Sequence, residues 1–457
     1  MTTQGNLLLR TPPPLQSLLM SLGSGLRYRR RFGAVFSSAM GQLEANERLS
    51  RRELLFKQRA LTHRLLSDAM VHVAFFRRME SRTDDLATWP VLEKGTIRNA
   101  PEEFLSDRWP KRSLVRSETS GTTGSPLSVY CTEDAYQWEM AFRWRHRAWA
   151  GIPFGARGAY LSGHLVAPHT RTRPPFWVFD GAENRLLLSS YHLNADNLPA
   201  YVSELAKFGP EFIHGYPSSL LLVAQAALNS PRRPRPRAVF AASETLLAHQ
   251  RAIIEEAFGC KVYVWYGQTE MTVNIVECER GSLHAREDYG VLETSPDGGA
   301  IGTGLRNHAM PFIRYWTGDA IKLDGGECEC RRPFGLVRSI EGRMEDYVVT
   351  PNGSRIGRLD HLLKGVTGVV EAQILQDDPS AVLLRIVRDQ DYSMETEEAI
   401  RREALIRMGS QVRLDFDYVE SIPRGPGGKF RFVVSNVPGS SVEVERRSVA
   451  ADFAEPR

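Results

Sequence analysis

No stretch of eighteen apolar residues occurs in these 457 residues, so no membrane-spanning helix is expected. The start, Met1-Thr2-Thr3-Gln4, has no basic segment ahead of an apolar core. Leu7-Leu8-Leu9 is too short to be one, so no signal peptide is read and a cytoplasmic protein is expected. An excess of one charge is also lacking. Lys and Arg total 58 against 54 Asp and Glu, a net +4, which implies no large polyanionic partner. Two local arginine clusters occur, Arg27, Arg29, Arg30 and Arg31, then Arg232, Arg233, Arg235 and Arg237. Either could meet nucleic acid or an anionic membrane. Neither has interleaved aromatics for base stacking, so solvated or phosphate-facing surface is the preferred reading and no nucleic-acid partner is assigned. Five cysteines, an odd number, argue against a disulfide framework. There is no Gly-Lys-Ser/Thr phosphate loop and no internal repeat.

What is present divides the chain into regions. Residues 5–80 read as helical, with Pro12-Pro13-Pro14 as a breaker near the start and Leu54, Leu55, Leu61, Leu65 and Leu66 at helical spacing. Glu93–Leu105 reads as a short helix. Asp134–Trp149 reads as a strong one, its aromatics at core spacing. From 155 to 330 short apolar runs alternate with helical segments, which predicts a mostly parallel sheet covered by helices. One of those helices starts near Ser218 or Ser219, either placed to cap it. Beyond Gly290 the runs become β-like, as in a smaller barrel or distorted sheet. Strands at 369–375, 382–387 and 412–418 with a helix at 394–407 form a small α+β domain. The expectation is therefore an α/β protein. It has a large N-terminal domain, 1–341, of helix-covered sheets plus a β-rich subdomain. A small mobile α+β domain, 342–436, follows, then a flexible tail, 437–457.

The densest local signal is Ser117-Glu118-Thr119-Ser120-Gly121-Thr122-Thr123-Gly124-Ser125-Pro126, between strand-like segments. Glycines allow close backbone approach, and hydroxyls add donors beside exposed N–H groups. Such a hairpin tip can wrap a nucleotide's phosphates. An ordinary Gly/Ser/Thr turn has the same composition. Three further loops follow predicted parallel strands, where ligands bind in such sheets: His214–Ser218, Ala242-Ser243-Glu244 and Tyr266–Glu270.

Taken in order, five segments resemble the adenylate-forming ligase superfamily, in its phenylacetate–CoA ligase-like and CapK-type branch. They are Ser120-Gly121-Thr122-Thr123-Gly124, Tyr266-Gly267-Gln268-Thr269-Glu270, Arg314-Tyr315-Trp316-Thr317-Gly318-Asp319, Gly342-Arg343-Met344-Glu345-Asp346 and Gly427-Gly428-Lys429-Phe430-Arg431. The resemblance implies a ligase that joins ATP and a small carboxylic acid into an acyl-adenylate. The acyl group then passes to coenzyme A or an amine. It implies that Ser120, Gly121, Thr122, Thr123 and Gly124 hold the β- and γ-phosphates. Thr269 would meet the α-phosphate, and Glu270 would lie near that phosphate and a Mg²⁺. Asp319 would accept from both ribose hydroxyls. Arg343 would reach the ribose or phosphates, and Ser243, Glu244, Tyr266 and Gly267 would surround the base. Lys429, in a Gly-rich loop, would bridge the attacking carboxylate and the α-phosphate. The small domain would turn about Glu345-Asp346 between half-reactions. The acid pocket would lie near His214-Gly215-Tyr216, Trp265 and Asn274.

Two departures separate this chain from other branches. The phosphate loop ends Ser125-Pro126-Leu127 without a lysine, and Val349–Ile356 is closer to CapK-type proteins than to phenylacetate ligases. Phenylacetate is therefore not carried over as the acid, and coenzyme A stands only as one candidate acceptor beside an amine. The alternative function is a nucleotide-binding protein, altered in catalysis, within a polysaccharide or natural-product assembly. A phosphotransferase ranks lower for want of its lysine motifs. A homodimer is compatible with either.

The cysteines are not scattered at random. Cys278, His284, Cys328 and Cys330 supply three thiols and an imidazole, a closed tetrahedral zinc set of structural type. The Cys-x-Cys spacing is tighter than the usual gap, and unrelated buried thiols are the other reading.

Overall fold

The computed structural model describes residues 11–437 apart from 80–82, 120–126, 165, 169–170, 297, 344–347, 352–354, 357–358, 364–365 and 425–429. The chain is mixed α/β, with a large sheet-rich N-terminal body and a small C-terminal unit. The first unit takes residues through Thr317 with Ile321–Ile340, and the second is built on Glu341–Arg424.

The first unit opens with α1 (Pro13–Arg31), α2 (Ala34–Asn46) and α3 (Arg51–His72). The prolines do not break the helix. They start it, with Pro12 as N-cap, because the first helical turn has no N–H partner to lose. Ser50 and Glu53 close a reciprocal cap on α3, satisfying two backbone donors. Strands β1 (Val115–Glu118) and β2 (Ser128–Cys131) pair antiparallel as a hairpin. Then comes α4 (Glu133–Trp149), capped by the Thr132 hydroxyl on Ala135 N.

The alternating region forms β3 (Gly158–Ser162), β4 (Trp177–Asp180), β5 (Arg185–Ser189), α5 (Leu198–Phe208), β6 (Phe212–Gly215), α6 (Pro217–Leu228), β7 (Ala238–Ala242), α7 (Ala248–Phe258) and β8 (Val262–Gly267). Strands β5, β3, β6, β7 and β8 are parallel neighbours. On one face the apolar sides of α5, α6 and α7 bury Tyr201, Leu205, Leu220, Ile254 and Phe258 against Leu161, Ile213 and Val239. On the other, α2 and α4 bury Phe36, Leu43, Phe142 and Trp144 against Phe212, Phe240 and Tyr263. Neither Ser218 nor Ser219 caps α6. The N-cap is Tyr216, Pro217 opens the helix, and both serine hydroxyls are buried without a partner.

The β-like region after Gly290 is not a separate barrel. Strands β9 (Asn274–Glu277), β10 (Leu283–Ala285), β11 (Gly290–Thr294), β12 (Gly299–Gly304), β13 (Tyr315–Asp324) and β14 (Gly335–Arg343) extend the same sheet to twelve strands. Its order is β11-β12-β13-β14-β10-β9-β8-β7-β6-β3-β5-β4. Pairing turns antiparallel between β8 and β9, so the chain leaves β8 at the seam between the two halves.

The second unit holds a small pair, β15 (Val348–Val349) with β16 (Arg355–Ile356). Its four-stranded sheet has the order β19-β18-β17-β20, with β17 (Val369–Asp378), β18 (Ala381–Arg388), β19 (Arg413–Tyr418) and β20 (Val433–Ser435). Helix α8 (Met394–Met408) packs Ile400 and Ala404 onto Ile374, Leu384 and Ile386. Buried Gln376 exchanges hydrogen bonds with both backbone groups of Val349, at 2.8 and 2.6 Å.

Candidate active site

The segment leaving β8 is held by one side chain. Gln268 Oε1 accepts from Thr272 Oγ1 at 2.8 Å and Val273 N at 3.3 Å. Its Nε2 donates to Tyr266 Oη at 2.6 Å. Asn274 Nδ2 donates to Tyr266 O at 2.7 Å. The chain then turns through Met271 at φ +56, a left-handed conformation that a long side chain adopts only when its surroundings impose it. Room for this turn comes from facing glycines. A Cβ at Gly290 would lie 2.0 Å from Thr272 O, and one at Gly304 would lie 2.2 Å from Met271 O.

The turn presents Glu270. It is buried, and its Oε1 accepts from Tyr315 Oη at 3.0 Å. Two of the five motif segments, forty-five residues apart, thus meet through one hydrogen bond. The Arg314–Asp319 segment is anchored by Arg314, itself left-handed at φ +46. Arg314 pairs with Glu293 at 3.0 Å and donates to the carbonyls of Ala87 and Trp89 at 2.8 and 2.7 Å. Thr317 Oγ1 donates to Ala300 O at 3.0 Å, and Gly318 takes φ +76. Asp319 follows in β13, buried.

The other sequence candidates are placed as follows. Ser243 is exposed at φ +70, where β7 ends. Glu244 accepts from Ser218 N at 3.0 Å, so its carboxylate sits at the N-terminus of α6 and complements the helix dipole. Gly267 ends β8, with Thr269 half-buried two residues on. Arg343 is the last residue of β14. Ser120, Gly121, Thr122, Thr123, Gly124 and Lys429 lie outside the described residues, as do Met344–Asp346.

Sequence reasoning missed the basic lining beside α4. Arg143 donates to Glu139 Oε1 at 2.9 Å, and Tyr289 Oη donates to the other carboxylate oxygen at 2.9 Å. Arg147 is buried with no ion pair among the described residues. Its guanidinium stacks 4.5 Å from Trp144, 4.7 Å from Phe212 and 5.6 Å from Tyr160. The His214 ring, at the end of β6, lies 5.5 Å from the same tyrosine ring. Burial, with Arg147 and Arg143 nearby, holds His214 well below its ordinary pKa. Burial holds His164 at about 4. The only signal in the sequence was the arginine spacing along α4, which reads equally as a solvated face.

Away from this region, strand pairing assembles the four metal candidates. Cys278 sits in the β9–β10 turn, and His284 lies in β10 opposite Leu336 of β14. Cys328 and Cys330 lie on the β13–β14 connection. The ligand atoms all lie within 4.8 Å of one another. Cys278 Sγ is 3.7 Å from Cys328 Sγ, and Cys330 Sγ is 3.4 Å from His284 Nε2. A zinc tetrahedron with bonds of about 2.3 Å to sulfur and 2.0 Å to nitrogen has edges of about 3.8 and 3.5 Å, so the set fits. His284 Nδ1 faces Phe334 O at 3.2 Å, which orients Nε2 toward the thiols. Burial pushes the Cys278 thiol up to about 12. Burial acts the same way on Cys328, but hydrogen bonds from Ser282 and the Cys330 backbone hold it below its ordinary value.

Comparison with known proteins agrees with this architecture. Residues 348–436 match the model of the CapK C-terminal domain family. The second unit is therefore similar to the CapK C-terminal domain. The chain is similar along much of its length to Protein CapK of Staphylococcus aureus, 26% identical over 76% of this chain and 80% of that one. It is also similar to the phenylacetate-coenzyme A ligase of Thermus thermophilus, 27% identical over 66% of this chain and 73% of that one. Among solved structures, it shares a fold with a 2-hydroxyisobutyryl-CoA ligase in the postadenylation state in complex with R3-HIB-AMP. The TM-score is 0.64, at 20% identity over 86% of this chain and 92% of that one.

Proposed function

We propose that this chain is an adenylate-forming ligase that activates a small carboxylic acid with ATP and passes the acyl group to coenzyme A or an amine. The observation carrying the reading is the Glu270–Tyr315 hydrogen bond, which joins two segments of the adenylating motif series in one site. The phenylacetate-coenzyme A ligase relative and the 2-hydroxyisobutyryl-CoA ligase of similar fold support the same class. In the first half-reaction a carboxylate oxygen bonds to the α-phosphorus. The bond from that phosphorus to the bridging oxygen breaks, and pyrophosphate leaves with the electron pair. Two anions must be brought together, so charge neutralisation and positioning carry the rate.

The roles are those that the resemblance implies. Ser120–Gly124 hold phosphates, Thr269 meets the α-phosphate, and Glu270 is offered to Mg²⁺. Asp319 and Arg343 hold the ribose side, Ser243, Glu244, Tyr266 and Gly267 the base, and Lys429 the attacking carboxylate. Residues 342–436 act as the lid carrying Lys429. Arg143 and Arg147 give the strand ends beside α4 a positive field suited to an acid, with the neutral His214 ring beside them. Cys278, His284, Cys328 and Cys330 hold a structural zinc that pins the β9–β10 turn to the β13–β14 connection.

Pyrophosphate release, measured across a panel of carboxylic acids, tests the reading. An acid-dependent burst with accumulation of the matching acyl-AMP is expected. ATP binding without turnover on any acid would leave a nucleotide-binding assembly protein instead.

A further inference from the structure

Helix α1 is turned inside out. A surface helix normally buries its apolar stripe and shows its polar side to water. Here the side that meets the protein is mostly polar, with Met20 packed by Val166, Val178 and Leu187 as its apolar member. Gln16 is fully buried, and its Nε2 donates to Val166 O at 2.6 Å. Ser17 Oγ accepts from Phe179 N at 3.3 Å, and Ser21 Oγ accepts from Gly181 N at 2.9 Å, so the helix covers the edge strand β4 with hydroxyls. Ser24 is buried as well. The leucines face outward: Leu15 is 47% exposed, Leu18 55%, Leu19 40% and Leu22 64%. Spaced i, i+3, i+4 and i+7, they form one continuous stripe. Arg29, seven residues beyond Leu22, continues the line and is exposed, with Arg30 exposed beside it and paired with Glu133 at 3.1 Å, while Arg27 turns back toward Ser24 and Met20.

We propose that this face of α1 docks the protein onto an anionic lipid surface. The leucines would enter the interface between headgroups and acyl chains, and the arginines would pair with acidic headgroups. Two features favour a membrane over a second copy of the chain. Four leucines exposed to this degree offer on the order of 300–400 Å², while a stable dimer buries about 800 Å² per partner. The stripe also ends in cations of one sign, which complement an acidic lipid leaflet and would repel their own copies across a symmetric contact. No helix among the described residues is long and apolar enough to span a bilayer, so α1 would lie in the interface plane.

Sedimentation of the full chain with vesicles tests this. One set is phosphatidylcholine alone, the other phosphatidylcholine mixed with phosphatidylserine. Binding to the mixed vesicles is expected, weakening as salt rises. Leu18→Glu with Leu22→Glu should lower the bound fraction at least about tenfold without moving the thermal midpoint, since both side chains already face outward. Arg29→Glu should reduce binding toward the level on phosphatidylcholine alone. The proposal is overturned if the full chain ignores mixed vesicles or if the leucine variant binds equally well. It is also overturned if light scattering shows a dimer that the leucine variant dissolves. Binding seen only after removal of residues 1–10 would instead make that segment the cover of the stripe.

Discussion

Glu270 depends on its partner more than on its own neighbours in sequence. Tyr315 donates to Oε1 and so fixes the orientation of the carboxylate. Tyr315→Phe removes one donor to a charged group, worth about 1.4 kcal/mol, so acid-dependent pyrophosphate release should fall about tenfold in kcat/KM. Little change in thermal midpoint should accompany it. An unchanged rate would remove Tyr315 from the site. In the proposed reaction Lys429 supplies a point charge where negative charge builds up on the α-phosphate. Lys429→Ala should cut adenylate formation by at least about a hundredfold while sparing acyl transfer from supplied acyl-AMP. Equal loss in both half-reactions would refute the role.

At the scale of elements, the β9–β10 turn, β10 and the β13–β14 connection bring the four candidate ligand atoms within 4.8 Å of one another. Metal analysis of purified protein should give about one zinc per chain. Cys328→Ser with Cys330→Ser should abolish it and lower the thermal midpoint, and residual adenylation should survive. Full zinc content in the double variant would dispose of the assignment. The sequence made this set legible because four good ligands stand in two short clusters. It could not show that β10 pairs with β14, which is what closes the distance between them. The same limit explains the region after Gly290. Its Gly-rich alternation marks strands but not their partners. Only the close approach of Gly290 and Gly304 to the Met271–Thr272 backbone shows why they join the main sheet. The proline run at 12–14 was misleading because a breaker inside a helix is a good first residue of one.

The whole molecule carries buried charge whose cost shows with pH. Burial, with Arg286, Arg147 and Arg145 nearby, holds His146 at about 3, while its Nε2 faces the Glu277 carbonyl at 2.9 Å. The unfolded chain therefore binds this proton below about pH 6.5 and the folded chain does not. Stability is full above that pH and falls as pH drops toward 3, by about 1.4 kcal/mol per unit for such a group. Asp288 adds a second loss lower down. Burial would raise it, but the bidentate pair with Arg145, at 2.6 and 2.9 Å, and a bond from Asn46 hold it at about 2. Its contribution is lost as pH falls from about 4 to about 2. Thermal midpoints should decline steadily below pH 6.5, and His146→Gln should flatten the upper part of that decline. An identical profile in the variant would exclude His146 as its source.

Local patterning alone determined much about this protein. Helical spacing, strand alternation and short connections specify the α/β body and the small C-terminal domain, because periodicity and turn chemistry act over a few residues. The motif order likewise brought Glu270, Asp319 and Lys429 forward as candidates. The tertiary structure decided what depends on long-range burial. It joined Glu270 to Tyr315, set arginines beside His214, and turned the leucines of α1 outward. A stripe of leucines reads the same whether it meets a core or a membrane, and only the packing of the opposite, polar side onto β4 tells them apart.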